Sequence, residues 1–497
     1  MKKAAIIGSG IAGIACSVRL ANKGYAVDVF EQNGYPGGKL STFTLGNYRF
    51  DAGPSLFTMP HFVEELFTLC GEDVSAHFSY KKKKIACEYF WEDGLALTAY
   101  GNLEHYLNEV EQKLGVSPQV LQNYLTKAKK KYDLTAGLFL EKSLHKLSTY
   151  ISADTLKALL QIHTLELQAN LNKVNENQLQ EPHLVQLYNR YATYNGSDPY
   201  QTPGIMSLVQ HLEQHYGTFV PEKGMGAITQ SVYALAKRQG VKFHFNQKVD
   251  RIQVHQKKAT GITINNENHN YDLVVSNMDV VPSYRYLMPD QKAPEKTLQQ
   301  ERSSSAVIFY WGIKTSFPQL DLHNIFFSAD YREEFRCIFK DSSICDDPTV
   351  YVNITSKDVP EDAPEGCENW FVMINTPADK GQDWEQLVAA LRIKVIRKIE
   401  RILKTSIEDK IEVEEVLTPP LIQSKTQSHL GALYGASSNN TMAAFWRHPN
   451  FSQRIKNLYF CGGSVHPGGG IPLCLLSAKI VSEQIPKASY ATKSITD

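Results

Sequence analysis

A short apolar run carries the chain from Lys3 to Gly8 and predicts a buried strand. Gly10 to Lys23 then reads as a helix closed by Gly24, and Tyr25 to Glu31 as a second strand, which together make a βαβ unit. From about residue 100 to 215 the pattern changes to long Leu- and Lys-rich stretches with little glycine, such as His105–Leu114, Gln119–Lys131, Leu138–Tyr150 and Asp154–Leu167, which predicts a helical insertion. Beyond Val220 the strand and helix signals return. Ile228–Arg238 reads as a helix closed by Gly240, Val241–Phe245 as a strand, Val249–Ile252 as the start of a hairpin turning near Gly261, and Leu273–Asn277 as another strand. Runs such as Ala306–Trp311 and Thr349–Asn353 predict an antiparallel sheet, and Pro472–Gln484 a last helix.

A length of 497 residues favours two domains or one discontinuous pair over a single core. The 52 basic and 52 acidic residues cancel, so no global field attracts nucleic acid, and no nucleic-acid partner is expected. Eight cysteines lack CxxC or metal-ligand spacing, which argues against a metal site and a disulfide framework and favours a reducing cytoplasm. Met1-Lys2-Lys3 before Ala4–Ala15 superficially resembles a signal peptide, but Gly8, Gly10 and Gly13 fall where a nucleotide-binding turn needs them. No apolar run approaches the roughly 18 residues of a membrane-spanning helix, so a membrane, if met, is met at its surface.

Gly8-Ser9-Gly10-Ile11-Ala12-Gly13 follows a strand and opens a helix, which lets backbone amides and a helix N-terminus approach a pyrophosphate. Glu31, about 20 residues on at the end of the second strand, is placed to accept hydrogen bonds from an adenosine ribose. This pattern serves FAD and NAD alike. The next segment, Tyr35-Pro36-Gly37-Gly38-Lys39, resembles the Gly-Gly-basic turn that two-dinucleotide-binding flavoproteins place beside the FAD diphosphate, with Lys39 where Arg is commoner. A simple type II turn is the alternative. Phe50 to Phe57 reads like a loop running under a flavin, and Asn457 to Ser464 like a strand entering a glycine-rich turn.

Asp51-Ala52-Gly53-Pro54, Pro221-Glu222-Lys223-Gly224-Met225-Gly226 and His466-Pro467-Gly468-Gly469-Gly470-Ile471-Pro472 together resemble the bacterial phytoene-desaturase-type carotenoid desaturases, over essentially the whole chain. Two departures are Glu222–Gly226, where a paired glycine is common, and Ser464-Val465-His466, where Thr-His is common. The resemblance implies an α/β fold: a discontinuous Rossmann-like FAD-binding domain (1–99, 217–285 and 418–497), a mixed or antiparallel-sheet substrate domain (286–417) and a helical, membrane-facing insertion (100–216). It implies non-covalent FAD on Gly8, Ser9, Gly10, Ala12, Gly13, Glu31, Gly38, Lys39, Pro54, Ser55 and Leu56. Val249 would meet the adenine side through its backbone. Asn277 would mark the return of the chain to the flavin domain, and Gly463, Gly470 and Ile471 would lie by the flavin's reactive end. A Val in a strand is usually only core, so the role of Val249 rests on its position alone.

The implied activity is an FAD-dependent oxidoreductase that desaturates a carotenoid by hydride transfer to the flavin, with oxygen or a membrane quinone as electron acceptor. His466 is the only obvious titratable group in a flavin-adjacent motif that could serve the reaction, either as a base for the accompanying proton or as an anchor for the glycine-rich loop. Pro54 to Met59 resembles the 1-hydroxycarotenoid 3,4-desaturase branch more than the phytoene desaturase branch. Lys127, Lys129, Lys130, Lys131, Lys142 and Lys146 around Leu138-Phe139-Leu140, Leu144 and Leu147 suit a helix resting on an anionic bilayer, or equally a core helix with a solvated lysine face. The expected location is thus cytoplasmic and peripheral to the membrane. Lys81–Lys84 reads as a solvated turn. A flavin amine oxidase and a non-catalytic flavin-binding protein are the competing classes.

Overall fold

The computed structural model describes residues 1–140, 142, 144–145, 161–440 and 446–488. Three distant stretches build one parallel sheet. Lys3–Ile7 lies at its centre between Ala26–Phe30 and Leu273–Ser276, and Lys242–His244 and Leu458–Phe460 form its edges. Parallel strands are covered on both faces, which explains the unbroken apolar runs. Ala4, Ile6, Val27 and Val29 pack against the helix Ile11–Asn22, which is flanked by Gly226–Arg238 and Ile471–Gln484; Ala5, Ile7 and Val274 pack on the opposite side against Ile252, Ile262 and Val280.

The second sheet has seven strands, in the order Ile411–Leu417, Ser305–Ile313, Glu368–Thr376, Val350–Ile354, His323–Phe326, Ile85–Phe90 and Ala96–Tyr100. Every pairing is antiparallel except that of His323–Phe326 with Ile85–Phe90. The last two strands come from the first hundred residues, so the chain enters this sheet before the helical insertion begins. Ser305–Ile313 is buried on both faces. Val307, Phe309 and Trp311 meet Leu391, Val395 and Ile399 of the helix Trp384–Leu403, whereas Ile308 and Tyr310 point the other way, into a cavity.

The insertion begins with the helices Leu103–Leu114 and Pro118–Thr135. Asn102 caps the first through the His105 amide (3.0 Å), and Pro118 opens the second at a position where its missing N–H costs nothing. No helix among the described residues is long and apolar enough to cross a membrane.

Three readings are corrected. The hairpin after Arg251 turns at Gln256-Lys257, both at positive φ, and Gly261 sits inside its second strand, where a Cβ would stand 2.1 Å from the His269 carbonyl oxygen. Lys81–Lys84 is no solvated turn: Tyr80–Lys82 is a strand, and Lys83 is inserted between Asp321 (2.8 Å) and Asp358 (2.6 Å). Lys131 does not share the solvated lysine face. It is buried, bonded to Glu166 and to Ser207 Oγ (2.7 Å), because it falls on the side of its helix that packs inward. Lys146 and Leu147 lie outside the described residues.

Candidate flavin and substrate site

One continuous cavity of about 1350 Å³ joins the two sheets. Its nucleotide end is built from the glycine turn. Gly10 precedes the helix Ile11–Asn22 with no side-chain cap, so the first amides stay open, and Gly470 precedes Ile471–Gln484 in the same way. Both helix N-termini line the cavity and offer it partial positive charge. Glu31 is buried beside them. Its Oε2 accepts the amide and the hydroxyl of Ser9 (both 2.9 Å) and its Oε1 the amide of Asn33 (2.9 Å). A carboxylate has about four acceptor positions, so Glu31 retains capacity for ribose hydroxyls.

Asn277 locks this end. Its amide donates to the Ile7 carbonyl (2.8 Å) and its side chain approaches Gly8, Gly10, Gly13 and Gly462. The Gly37-Gly38 turn lies directly on the first glycine loop, with Gly37 N–H donating to the Ser9 carbonyl (2.8 Å). Gly37 is at φ 107°, and a Cβ there would stand 2.4 Å from the Leu40 carbonyl oxygen, so only glycine fits. Val249 is buried and lines the cavity, and no partner among the described residues takes up its N–H or C=O.

The cavity also holds cations that have no carboxylate partner among the described residues. Lys39 Nζ donates to the Leu433 (2.8 Å) and Ala432 (3.2 Å) carbonyls, and the side chain lines the cavity. Burial draws its pKa down to about 8, against the opposing pull of Asp279, which is engaged by Arg302. Arg447, buried and brought down to about 10 by burial and by Arg302, has Tyr434 O (3.2 Å) and Ser438 Oγ (3.3 Å) as its side-chain partners among the described residues. Open amides, a ribose-ready carboxylate and two underpaired cations fit a dinucleotide diphosphate. Arg447 and Arg302 were not legible in the sequence, since a lone arginine in a loop carries no spacing.

Past this end the walls become apolar. The floor is the sheet face bearing Ile308, Tyr310, Tyr351, Phe371 and Met373, and the helical insertion contributes Leu140, Leu144, Ile205, Leu208 and Leu212. The loop Gly53–Leu56 runs over the floor: Tyr310 donates to the Ala52 carbonyl (2.7 Å), and Ser55 and Tyr351 share a hydrogen bond (2.8 Å). Asp51, one residue before Ala52, receives the amides of Met225 (2.8 Å) and Gly226 (3.0 Å) and so caps the helix Gly226–Arg238. Two motifs 170-odd positions apart are thus one structural unit, held further by Arg49 between Asp51 and Asp362 (2.9 Å each).

Gly463, Gly470, Ile471 and His466 line the cavity between the nucleotide end and the apolar chamber. His466 is 1% exposed and burial holds its pKa down at about 4, so the ring is neutral at physiological pH. Nε2 faces the Lys142 carbonyl (2.9 Å) and must donate to it, which leaves Nδ1 as the basic atom and ties the glycine-rich loop to the insertion.

Residues 11–486 match the flavin containing amine oxidoreductase family, and the chain belongs to it. Among curated relatives it is 56% identical over 489 residues to the 1-hydroxycarotenoid 3,4-desaturase of Flavobacterium sp. (strain P99-3), covering 98% of this chain and all of that one. It is 31% identical over 490 residues to the 4,4'-diaponeurosporene oxygenase of Staphylococcus aureus (strain MSSA476), covering 97% of each. Among solved structures, an oxidoreductase from Methanosarcina mazei (TM-score 0.64, 14% identity, 97% of this chain and 100% of that one) and putrescine oxidase bound to putrescine (TM-score 0.63, 12% identity, 97% of each) share the fold. The chain is a flavin-dependent oxidoreductase, and the residues at the nucleotide end fit FAD.

Proposed function

We propose that the protein is an FAD-dependent carotenoid desaturase whose favoured substrate is a late, 1-hydroxylated carotenoid, desaturated between C3 and C4. The observation that carries the reading is the single cavity in which a dinucleotide end opens into a long apolar chamber. The floor crosses six strands spaced about 4.8 Å apart, so it extends on the order of 24 Å, a length suited to a polyene and excessive for a small amine. The 56% identity to a relative named for this activity supports the same substrate class.

FAD, when bound, supplies the hydride acceptor, and oxygen or a membrane quinone takes the electrons onward. Gly8, Ser9, Gly10, Ala12, Gly13 and Glu31 hold the adenosine and diphosphate portion, Gly38 and Lys39 the diphosphate, and Val249 the adenine. Pro54, Ser55, Leu56, Gly463, Gly470 and Ile471 surround the ring, with Asn277 as the brace between them. The apolar walls exclude water and align the polyene. His466 anchors the glycine-rich loop through Nε2–H. The exposed Lys127, Lys129 and Lys130 on Pro118–Thr135 bring the Leu140 and Leu144 side of the cavity to an anionic bilayer, from which a substrate insoluble in water is drawn.

The test uses the flavin-loaded enzyme without oxygen. Liposomes carrying a 1-hydroxycarotenoid are expected to bleach the oxidised flavin and yield a product two hydrogens poorer, whereas putrescine leaves the spectrum unchanged. Bleaching by amines alone sinks the proposal, and conversion of phytoene alone moves it to the phytoene branch. The role of Lys39 has its own readout. Because the free lysine loses its proton at about 8 and a dianion favours the proton, FAD affinity is expected to fall by up to tenfold per pH unit as pH rises from 8 to 9.5. In Lys39→Met the affinity is weaker throughout and this slope is gone, as followed by quenching of FAD fluorescence.

A further inference from the structure

The apolar chamber has one polar corner. Arg190 is 9% exposed, and its guanidinium lies over the rings of Tyr191 (4.6 Å), Tyr89 (5.4 Å) and Tyr194 (5.4 Å). Nη2 donates to Tyr89 Oη (2.7 Å) and Nη1 to Tyr194 Oη (3.3 Å), while Glu213 stands 3.7 Å from Nη2. Tyr191 donates to one Glu213 oxygen (3.0 Å) and Tyr194 to the other. Arg190 Nε–H has no acceptor among the described residues.

A second orphan donor lies nearby. His323, 3% exposed, places Nδ1 2.7 Å from Tyr351 Oη and 3.3 Å from Asn353 Nδ2. The Asn353 amide nitrogen is fixed by its bond to the Leu322 carbonyl (2.9 Å), so a donor faces Nδ1. The proton therefore sits on Nε2, and this N–H is buried without an acceptor among the described residues. Tyr89, which Arg190 binds, pairs with Ile325, and His323 lies on the same strand face two residues earlier, about 7 Å along it. Arg190, Glu213 and His323 all line the cavity.

We infer that Arg190 and His323 bind a hydroxyl group carried by an otherwise hydrocarbon substrate, with Glu213 accepting the hydroxyl proton. Two orphan N–H groups match the two lone pairs of a hydroxyl oxygen, and Glu213 has acceptor capacity left after its two tyrosines. A hydroxyl placed here satisfies donors that are otherwise buried and unpaired among the described residues, whereas a hydrocarbon end leaves both unpaired, so the corner selects against the hydrocarbon. The corner is also close to the chemistry. Ser55 bonds Tyr351, which bonds His323, so the hydroxyl site is two hydrogen bonds from the loop assigned to the flavin ring. In a 1-hydroxylated polyene the oxygen on C1 is two carbons from the C3–C4 bond, and fixing it fixes the reacting carbons. This inference rests on the desaturase reading.

The experiment compares kcat/KM of the flavin-loaded enzyme for a 1-hydroxycarotenoid and for the same polyene lacking the hydroxyl, each in liposomes. The wild type is expected to prefer the hydroxylated substrate about 100-fold. Arg190→Lys keeps a cation beside Glu213 but lacks the Nε–H, and His323→Phe lacks the second donor; each is expected to reduce the preference to below about fivefold. A merely structural defect slows both substrates and preserves the ratio. Equal turnover of the two polyenes by the wild type, or a ratio unchanged in either folded, FAD-retaining variant, overturns the inference and leaves the desaturase reading standing. No turnover of either polyene by the wild type removes that reading instead. If Arg190→Lys does not fold, His323→Phe decides.

Discussion

Gly13→Ala is expected to give a protein that purifies without yellow colour and binds FAD more than about 100-fold more weakly. Gly13 lies in the first turns of Ile11–Asn22, where alanine would ordinarily gain about 1 kcal/mol in helix propensity. Here the added Cβ would stand 2.2 Å from the Gly8 carbonyl oxygen, 2.9 Å from Asn277 Nδ2 and 3.2 Å from Asn277 Cβ. The first contact is with backbone that cannot swing aside: Gly8 N–H is bonded to the Phe30 carbonyl (2.8 Å), and Asn277 N–H to Ile7 (2.8 Å). Relief requires the helix to lift from the sheet, at a cost on the order of 3 kcal/mol, which exceeds the propensity gain. The same lift displaces the open amides at Gly10 to Ala12. Gly137→Ala is the control, because a Cβ there meets nothing within 4 Å among the described residues. It is expected to keep FAD and to melt within about 1 °C of the wild type, a shift that for a chain of this length corresponds to about 1 kcal/mol. A yellow, stable Gly13→Ala protein would show that the helix does not have to approach Gly8 so closely.

The contrast between these two glycines explains how much of the molecule was legible beforehand. The nucleotide end was readable because its determinants are local: an apolar strand, a glycine turn and a helix follow one another within Lys3–Asn22, and Glu31 closes the next strand. The α/β class and a dinucleotide followed from that order, and the flavin from the Gly37-Gly38-Lys39 turn just beyond it. What escaped was whatever depends on contacts between distant segments. Asp51 caps a helix that begins at Gly226, Lys131 turns inward to Glu166, and Ile85–Phe90, with Ala96–Tyr100 beside it, pairs with His323–Phe326 in a sheet whose other strands begin at Ser305. Lys83 carried the same polar signature as its exposed neighbours Lys81 and Lys82, and only Asp321 and Asp358, more than two hundred positions away, set it apart. Arg190 was hidden for a related reason, because three tyrosines from two elements are needed to bury a guanidinium in an apolar chamber.

Acidification is expected to unfold the protein steeply between pH 6.5 and 5. His323, His448 and His466 are at most 3% exposed, and burial holds their pKa values down at about 3, 4 and 4, against 6.5 for an ordinary histidine. Below pH 6.5 the unfolded chain takes up three protons that the folded one refuses, so stability present above 6.5 is lost as pH falls towards 4. Each site corresponds to on the order of 3 kcal/mol when the shift is fully expressed, and three together rival the 5–15 kcal/mol of a typical domain. One group works against them. Burial pushes Glu88 up to about 7, so the folded state gains a proton there first and offsets about one of the three. Asp198, Glu334 and Asp362, also raised by burial, add to this opposition at the acid end. His211, held down at about 4 by burial, joins the three histidines, so a net uptake of about three protons on unfolding predicts a loss of ~4 kcal/mol per pH unit across 6.5 to 5. Urea midpoints measured at half-unit steps test the slope. His448, whose ring bonds Pro449 O (2.7 Å) and Tyr284, isolates one contribution: His448→Gln is expected to be less stable at pH 7.5 but to lose ~1.4 kcal/mol per pH unit less on acidification. A flat profile from pH 7 to 5, or a variant with the wild-type slope, would mean that water reaches these rings and that they are not buried neutral.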